Sequence, residues 1–147
     1  DIDKNAIDIA SRNFAFNSNQ SNLKFYNGNW WDPLANYKGK IDLAVANPPY
    51  IPQTQINNLQ TEIKNFEPRL ALDGGEDGLD YYRRIVKDSV NYLRVGGSLI
   101  LEVGDGQADE VTRLIDHCGC FECLNVVSDL NNRPRIVTGA KKSQENC

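Results

Sequence analysis

The chain has 147 residues and a formal net charge of −4, with 40% hydrophobic residues, 24% charged residues and no methionine. Its length and composition predict one globular domain, and its acidic balance argues against a duplex-binding surface, which is usually basic. No apolar run approaches the roughly 20 residues that cross a bilayer, and no signal-peptide pattern is visible, so we expect a cytoplasmic protein without a membrane partner. Because the chain begins at Asp1 and lacks methionine, we expect it to be a piece of a longer protein.

The predicted elements alternate between strands and helices, which we infer from apolar periodicity, capping residues and turn residues. The first half predicts a strand end at 1–2, a helix that Asp3 caps and that ends at 17–19, and strands at 23–26 and 41–46. The second half predicts a loop at 67–80, helices at 81–94 and 107–117, and strands at 98–103, 123–127 and 135–139. The strand at 41–46 is apolar without alternation, which predicts burial on both faces. The order indicates an α/β fold with an open, mainly parallel sheet and a closing antiparallel strand pair.

A double proline, in Asn47-Pro48-Pro49-Tyr50, directly follows the predicted strand at 41–46. Proline fixes φ near about −65° and lacks an N–H group, and the residue before a proline is held in the extended region. The four residues are therefore a rigid loop that presents an amide, carbonyl oxygens and an aromatic ring. Such acceptors suit a planar NH2 group, with the Asn47 oxygen and the Pro48 carbonyl holding its hydrogens and Tyr50 packing over it.

A cluster of soft metal ligands, His117, Cys118, Cys120 and Cys123, lies near the end of the last predicted helix. Its spacing is not one of the usual zinc patterns, and no second pair of ligands lies elsewhere in the sequence. A helix end capped by Gly119, followed by small apolar cysteines, is the better interpretation. We therefore expect no metal site.

Three motifs together resemble one enzyme family. They are Val-Ala-Asn-Pro-Pro-Tyr-Ile-Pro at 45–52, Glu-Pro-Arg-Leu-Ala-Leu-Asp-Gly-Gly-Glu-Asp-Gly-Leu-Asp at 67–80, and Leu-Glu-Val-Gly at 101–104 with Gly106-Gln107. With these motifs the chain resembles the catalytic domain of the S-adenosylmethionine-dependent N5-glutamine methyltransferases that modify peptide chain release factors. The first motif alone is shared by several amino-methyltransferases, and the second makes the resemblance specific.

The resemblance implies a Rossmann-like class I methyltransferase fold, with S-adenosyl-L-methionine as the cofactor and a release factor as the protein partner of a monomer. Asp1 matches the acid that accepts the ribose hydroxyls, and Trp30 matches an aromatic residue beside the adenine. Asn29 stands where the family usually has an acidic residue that contacts the adenine amino group. The amide oxygen of Asn29 can still accept from that group, so Asn29 is expected to make a weaker or altered contact with the cofactor. Asn47 matches a residue that touches both cofactor and substrate, and 47–50 matches the glutamine-binding loop. Catalytic roles are thus expected for Asn47, Pro48 and Tyr50, and substrate contacts for these residues and Pro49.

The resemblance also implies missing parts, because the family's glycine-rich cofactor loop, first strand and N-terminal helical domain would lie before Asp1. Residues 1–140 are thus expected to form a partial, N-terminally truncated catalytic domain, and 141–147 a polar tail. Open apolar sheet edges invite aggregation, so we expect the piece alone to be unstable and inactive. Three alternatives stay open: a ribosomal-protein glutamine methyltransferase, an inactive fragment, and an adenine-N6 nucleic-acid methyltransferase. The last would flip its base and require a basic channel, so direct nucleic-acid binding is not expected.

Overall fold

The structure is a computed structural model that describes residues 1–17 and 22–143. Two compact units make up the chain, Asp1–Tyr37 and a larger unit that begins at Lys38. The first unit contains one α-helix and one 3₁₀ helix, and the second contains the β-sheet with its helices.

In the first unit, helix α1 spans Lys4–Asn17. The Asp3 carboxylate accepts a hydrogen bond from the Asn5 N–H at 2.7 Å, which confirms the predicted cap. The helix ends at the predicted place, although residues 18 and 19 of the expected turn lie outside the described residues. A 3₁₀ helix at Asp32–Tyr37 completes the unit.

The predicted strand at 23–26 and the predicted strand end at 1–2 do not form regular strands. The two segments nevertheless meet, because the amino group of Asp1 donates to the Tyr26 carbonyl and the Gly28 N–H donates to the Asp1 carbonyl, both at 3.0 Å. This alternation of donor and acceptor is the pattern of a parallel strand pair. A single rung of pairing is too short to make a strand, which explains why the prediction fails.

Between residues 38 and 143 the second unit has five helices, of which α5 and α6 confirm the sequence prediction. Their bounds are α2 Gln53–Ile56, α3 Thr61–Phe66, α4 Arg69–Leu72, α5 Asp80–Tyr92 and α6 Ala108–His117. Helix α4 lies in the stretch predicted to be a loop. It begins after Pro68, whose fixed φ of −57° suits the first turn of a helix.

Four strands form the sheet of the described chain, with the order β1-β2-β4-β3. Their bounds are β1 Ile41–Ala46, β2 Leu93–Glu102, β3 Phe121–Ser128 and β4 Pro134–Lys141. Strands β1 and β2 are parallel, whereas β2–β4 and β3–β4 are antiparallel. The closing antiparallel pair is confirmed. The described sheet is mixed rather than mainly parallel, because the β3–β4 hairpin adds to β2 through its second strand.

The core of this unit lies on one face of the sheet, where α5 and α6 pack. Leu99 and Leu101 of β2 are fully buried on that face. Leu43 and Val45 of β1 pair with residues on the opposite face and are 51% and 69% exposed. The prediction that β1 is buried on both faces is therefore wrong for the described chain, because the described helices of this unit cover the other face.

The strand β4 includes Lys141, which was expected to begin a polar tail. Its side chain is buried, and its ammonium group donates to the carbonyls of Val90 at 2.6 Å and Leu93 at 2.8 Å. These carbonyls lie at the C-terminal end of α5, where a cation is favourable. The predicted boundary at 140 is therefore too early, and residues 144–147 lie outside the described chain.

Candidate functional site

The loop of Asn47, Pro48, Pro49 and Tyr50 directly follows β1, at the carboxyl end of a strand with a parallel neighbour. Pro48 is buried, Pro49 and Tyr50 are half-buried, and Asn47 is exposed. Throughout the described part of the chain, no group hydrogen-bonds the Asn47 side-chain amide or the Pro48 carbonyl. Both predicted acceptors therefore keep their hydrogen-bonding capacity within the described chain, and the Asn47 side chain is also exposed.

The far end of this loop is anchored to the segment after α4. Ile51 N–H donates to the Leu72 carbonyl at 3.0 Å, and Gly74 N–H donates to the Ile51 carbonyl at 2.9 Å. Ile51 thereby forms a parallel β-bridge with Asp73. The second sequence motif thus supports the first one physically, since its backbone holds the residue that follows Tyr50.

Gln107 connects three loops at the start of α6. Its Nε2 donates to the Tyr50 carbonyl at 2.9 Å and to the Gly78 carbonyl at 3.4 Å, and its Oε1 accepts from the Gly104 N–H at 3.0 Å. Gln107 belongs to the third sequence motif, but the motif alone indicates no role for it. In the structure Gln107 stands at the start of α6 without capping it, so its side chain is free for contacts with other segments.

Three glycines make room for Tyr50. An added Cβ at Gly74 would lie 2.8 Å from the Tyr50 backbone carbonyl carbon, and one at Gly78 would lie 2.4 Å from the Tyr50 backbone carbonyl oxygen. An added Cβ at Gly104 would lie 2.8 Å from the Tyr50 ring. Two of these contacts are with backbone atoms, which cannot rotate away. The glycines of the second and third motifs therefore permit the close packing that holds Tyr50.

The carboxylates of residues 73–80 form hydrogen bonds within this segment, which the sequence predicted only as part of a loop. The Gly75 N–H donates to the Asp73 carboxylate at 3.0 Å, and this bond lowers the pKa of Asp73. Arg83 hydrogen-bonds the Asp77 carboxylate and lowers its pKa, and it pairs with Asp80 at 2.9 Å. These interactions favour a defined conformation of the segment behind Tyr50.

The predicted cofactor residues Asp1, Asn29 and Trp30 all lie in the first unit. The hydrogen bond between Gly28 and the Asp1 carbonyl places Asp1 beside the chain that leads to Asn29 and Trp30. Asn29 and Trp30 are half-buried, and Trp30 has a φ of 53°, which is uncommon for a large side chain. The predicted fourth cofactor residue, Asn47, belongs to the second unit, and its role toward a cofactor stays a prediction.

A cavity of about 380 Å³ adjoins the segment that anchors the loop. Its floor includes Gln53, whose N–H donates to the Gly75 carbonyl at 2.9 Å. The lining combines charged, polar and apolar side chains: Gln53, Arg69, Leu70, Asp73, Gly75, Asp80 and Tyr81. Such a lining offers both hydrogen bonds and apolar contacts to a ligand.

The cysteines of the segment that follows α6 differ in their burial. Cys120 is buried, Cys118 is half-buried and Cys123 is exposed, while the His117 ring lies 2.7 Å from the Arg113 carbonyl. Within residues 1–17 and 22–143, no three His, Cys, Asp or Glu side chains form a group that could hold a metal ion. Over the same residues, none of the helices combines the length and apolar character that crossing a membrane requires.

Comparison with known proteins finds curated relatives that share one name. The release factor glutamine methyltransferase of Synechocystis sp. is 38% identical over 138 residues, which are 94% of this chain and 46% of the relative. The enzyme of the same name from Geobacter sulfurreducens is 40% identical over 134 residues, covering 91% of this chain and 45% of the relative. The chain is thus a relative of the release factor glutamine methyltransferases. No family model matches it.

The chain spans about half the length of these curated methyltransferases. A solved methyltransferase from Pyrococcus furiosus is 14% identical and aligns with a TM-score of 0.61, covering 97% of this chain and 61% of that structure. This likeness concerns the fold alone, and it confirms the predicted Rossmann-like α/β architecture. The release factor glutamine methyltransferase relationship rests on the sequence identity.

Proposed function

We propose that the complete protein containing this chain transfers a methyl group from S-adenosyl-L-methionine to the N5 amide of a glutamine in a peptide chain release factor. The observation that carries this proposal is the identity of 38–40% with relatives of that name over more than nine-tenths of the chain. The loop supports it, because its two acceptors, the Asn47 amide oxygen and the Pro48 carbonyl, make no hydrogen bond within the described chain.

The acceptors address the main chemical difficulty of the reaction. An amide nitrogen is a weak nucleophile because its lone pair is delocalised into the carbonyl group. Hydrogen bonds from the substrate NH2 to Asn47 and Pro48 would fix its orientation and raise electron density on the nitrogen. Positioning and electrostatics of this kind supply much of the rate in enzymes that lack a strong base. Tyr50 would pack against the flat amide and exclude water.

The residues of the first unit fit the adenosine part of the cofactor. One oxygen of the Asp1 carboxylate accepts from the Asp3 N–H at 2.8 Å, and the second oxygen remains available for a ribose hydroxyl. Asn29 carries an amide oxygen that can accept from the adenine amino group, and Trp30 supplies an aromatic surface. When bound, S-adenosyl-L-methionine supplies an electrophilic methyl group on a sulfonium.

The partner and the location follow from the proposed substrate. A release factor acts on ribosomes, so we propose that the reaction takes place in the cytoplasm and that the enzyme works as a monomer. The cavity beside the anchored loop would accommodate polypeptide that flanks the target glutamine. Its mixture of Arg69, Leu70 and Tyr81 suits a protein substrate.

The decisive experiment measures transfer of a labelled methyl group by the complete protein to a release factor. A release factor whose catalytic glutamine is replaced should accept no label. Asn47→Ala should lower kcat by about 100-fold, since one preorganised polar contact to the reacting group is typically worth this much. Asn58→Ala changes an exposed asparagine of the same unit and should leave kcat unchanged.

Two other acceptors separate this proposal from its rivals. Label on an adenine-containing oligonucleotide, with none on the release factor, would identify a nucleic-acid adenine methyltransferase. Label on a ribosomal protein, with none on the release factor, would identify a ribosomal-protein glutamine methyltransferase. Failure to label any of the three by a folded complete protein would contradict the proposed activity.

A further inference from the structure

The Asn47 and Pro48 acceptors have no hydrogen-bond partner of their own in the described chain, so something else must hold them in place. On the N-terminal side the loop is joined to Ala46, which ends β1 and pairs with Leu101 of β2. On the other side the Tyr50 carbonyl accepts the 2.9 Å hydrogen bond from Gln107 Nε2, which fixes the second end of the loop. Only Pro49 lies between Pro48 and Tyr50. Because the φ of Pro49 is fixed, fewer free backbone rotations separate the Tyr50 and Pro48 carbonyls than in an ordinary loop, so that the position of one restricts the position of the other.

The environment of Gln107 suits a positioning role. The side chain is half-buried and uses both ends of its amide, donating to Tyr50 and Gly78 and accepting from Gly104. An added Cβ at Gly78 would lie only 2.6 Å from Gln107 Nε2, and an added Cβ at Gly104 would lie only 2.6 Å from Gln107 Oε1. The loops that contain Gly78 and Gly104 therefore fix the amide of Gln107, and this amide in turn hydrogen-bonds the loop that contains Tyr50.

We propose that Gln107 is a positioning residue for methyl transfer, in that its hydrogen bond to the Tyr50 carbonyl sets the place of the Asn47 and Pro48 acceptors. The catalytic part of this inference rests on the proposed function. Gln107 would act through the loop, without touching the substrate.

Gln107→Glu tests the inference with a minimal change of shape. At neutral pH the introduced carboxylate can still accept from Gly104 N–H, but it has no donor for the Tyr50 carbonyl. We expect kcat to fall about 10- to 100-fold, in the range that a misplaced reacting group costs, with a change in KM below about threefold. Gln55→Glu makes the same chemical change at an exposed position of α2 and is the matched control.

Acidification provides a readout that a merely structural role would not produce. A protonated carboxyl regains a donor, so the ratio of kcat between Gln107→Glu and Gln55→Glu should rise toward one as the pH falls through about 4 to 5. A fall of kcat and melting temperature together, without recovery on acidification, would show that Gln107 is only a structural residue and would overturn the proposal.

Hydrogen exchange keeps the test independent of the proposed activity. In Gln107→Glu the N–H groups of Ile51 and Gly74, which anchor the loop, should exchange at least about 10-fold faster than in Gln55→Glu, and acidification should reduce this difference. Wild-type exchange rates together with wild-type kcat would overturn the proposal. If the wild-type protein does not methylate a release factor, the proposed function fails. Exchange rates alone then decide whether Gln107 holds the loop.

Discussion

Replacement of Gly78 by alanine probes the packing behind the candidate substrate loop. Gly78 is buried, has a φ of +81°, and leaves only 2.4 Å between an added Cβ and the Tyr50 carbonyl oxygen. Gly106 is an almost ideal control, because its φ is +78°, it is exposed, and no atom lies within 4 Å of an added Cβ. The two substitutions share the backbone strain and differ in their neighbours.

The expected magnitudes follow from this pair of environments. A residue with a Cβ costs about 1–2 kcal/mol in the left-handed region, and both variants lose this amount of unfolding free energy. Gly78→Ala must also displace the Tyr50 backbone, and overpacking of this kind costs about 1–3 kcal/mol more. The effect of alanine on the unfolded chain is the same for both variants and cancels in the comparison.

Chemical unfolding of the complete protein, followed by circular dichroism, measures the difference. We expect Gly78→Ala to lose at least about 1 kcal/mol more than Gly106→Ala. We also expect kcat to fall in Gly78→Ala alone, because the substitution moves Tyr50. Equal losses of unfolding free energy in the two variants would refute the close contact between Gly78 and Tyr50.

Three further predictions concern stability. Lys141→Ala should lower the unfolding free energy by about 1–3 kcal/mol, because it leaves two carbonyls at the end of α5 without their donor. Lys142→Ala is the control and should lower it by less. Equal losses of unfolding free energy in chemical denaturation would show that the Lys141 hydrogen bonds to α5 are unimportant. Because the pKa of Asp73 is lowered in the folded protein, its carboxylate stabilises the folded state fully above about pH 4. This contribution is lost as the pH falls through the lower folded-state pKa. The difference in unfolding free energy between wild type and Asp73→Asn should therefore shrink on acidification, and a constant difference would contradict this assignment. The 147-residue chain alone should show neither a cooperative thermal transition nor micromolar cofactor binding, and observing both would disprove this expectation.

Local signals in the sequence determined much of the second unit. The 3.6-residue periodicity predicted α5 and α6, and the short apolar runs predicted the antiparallel pair β3–β4, because these features depend on residues close together in the chain. The rigid loop at 47–50 was also predictable, since the conformation of proline is an intrinsic property. The proposed chemistry of its acceptors came from the same four residues.

Only the tertiary structure decided what holds this loop. Gln107 and Tyr50 are 57 residues apart, and no periodicity or cap relates them. Gly74 and Gly78 look like ordinary loop glycines in the sequence, and their contact with Tyr50 appears only when Ile51 pairs with Asp73. The sequence thus determined the rigid acceptor loop, because its stiffness is local. Folding decided the support of that loop, because support requires contacts between segments that are distant in the chain.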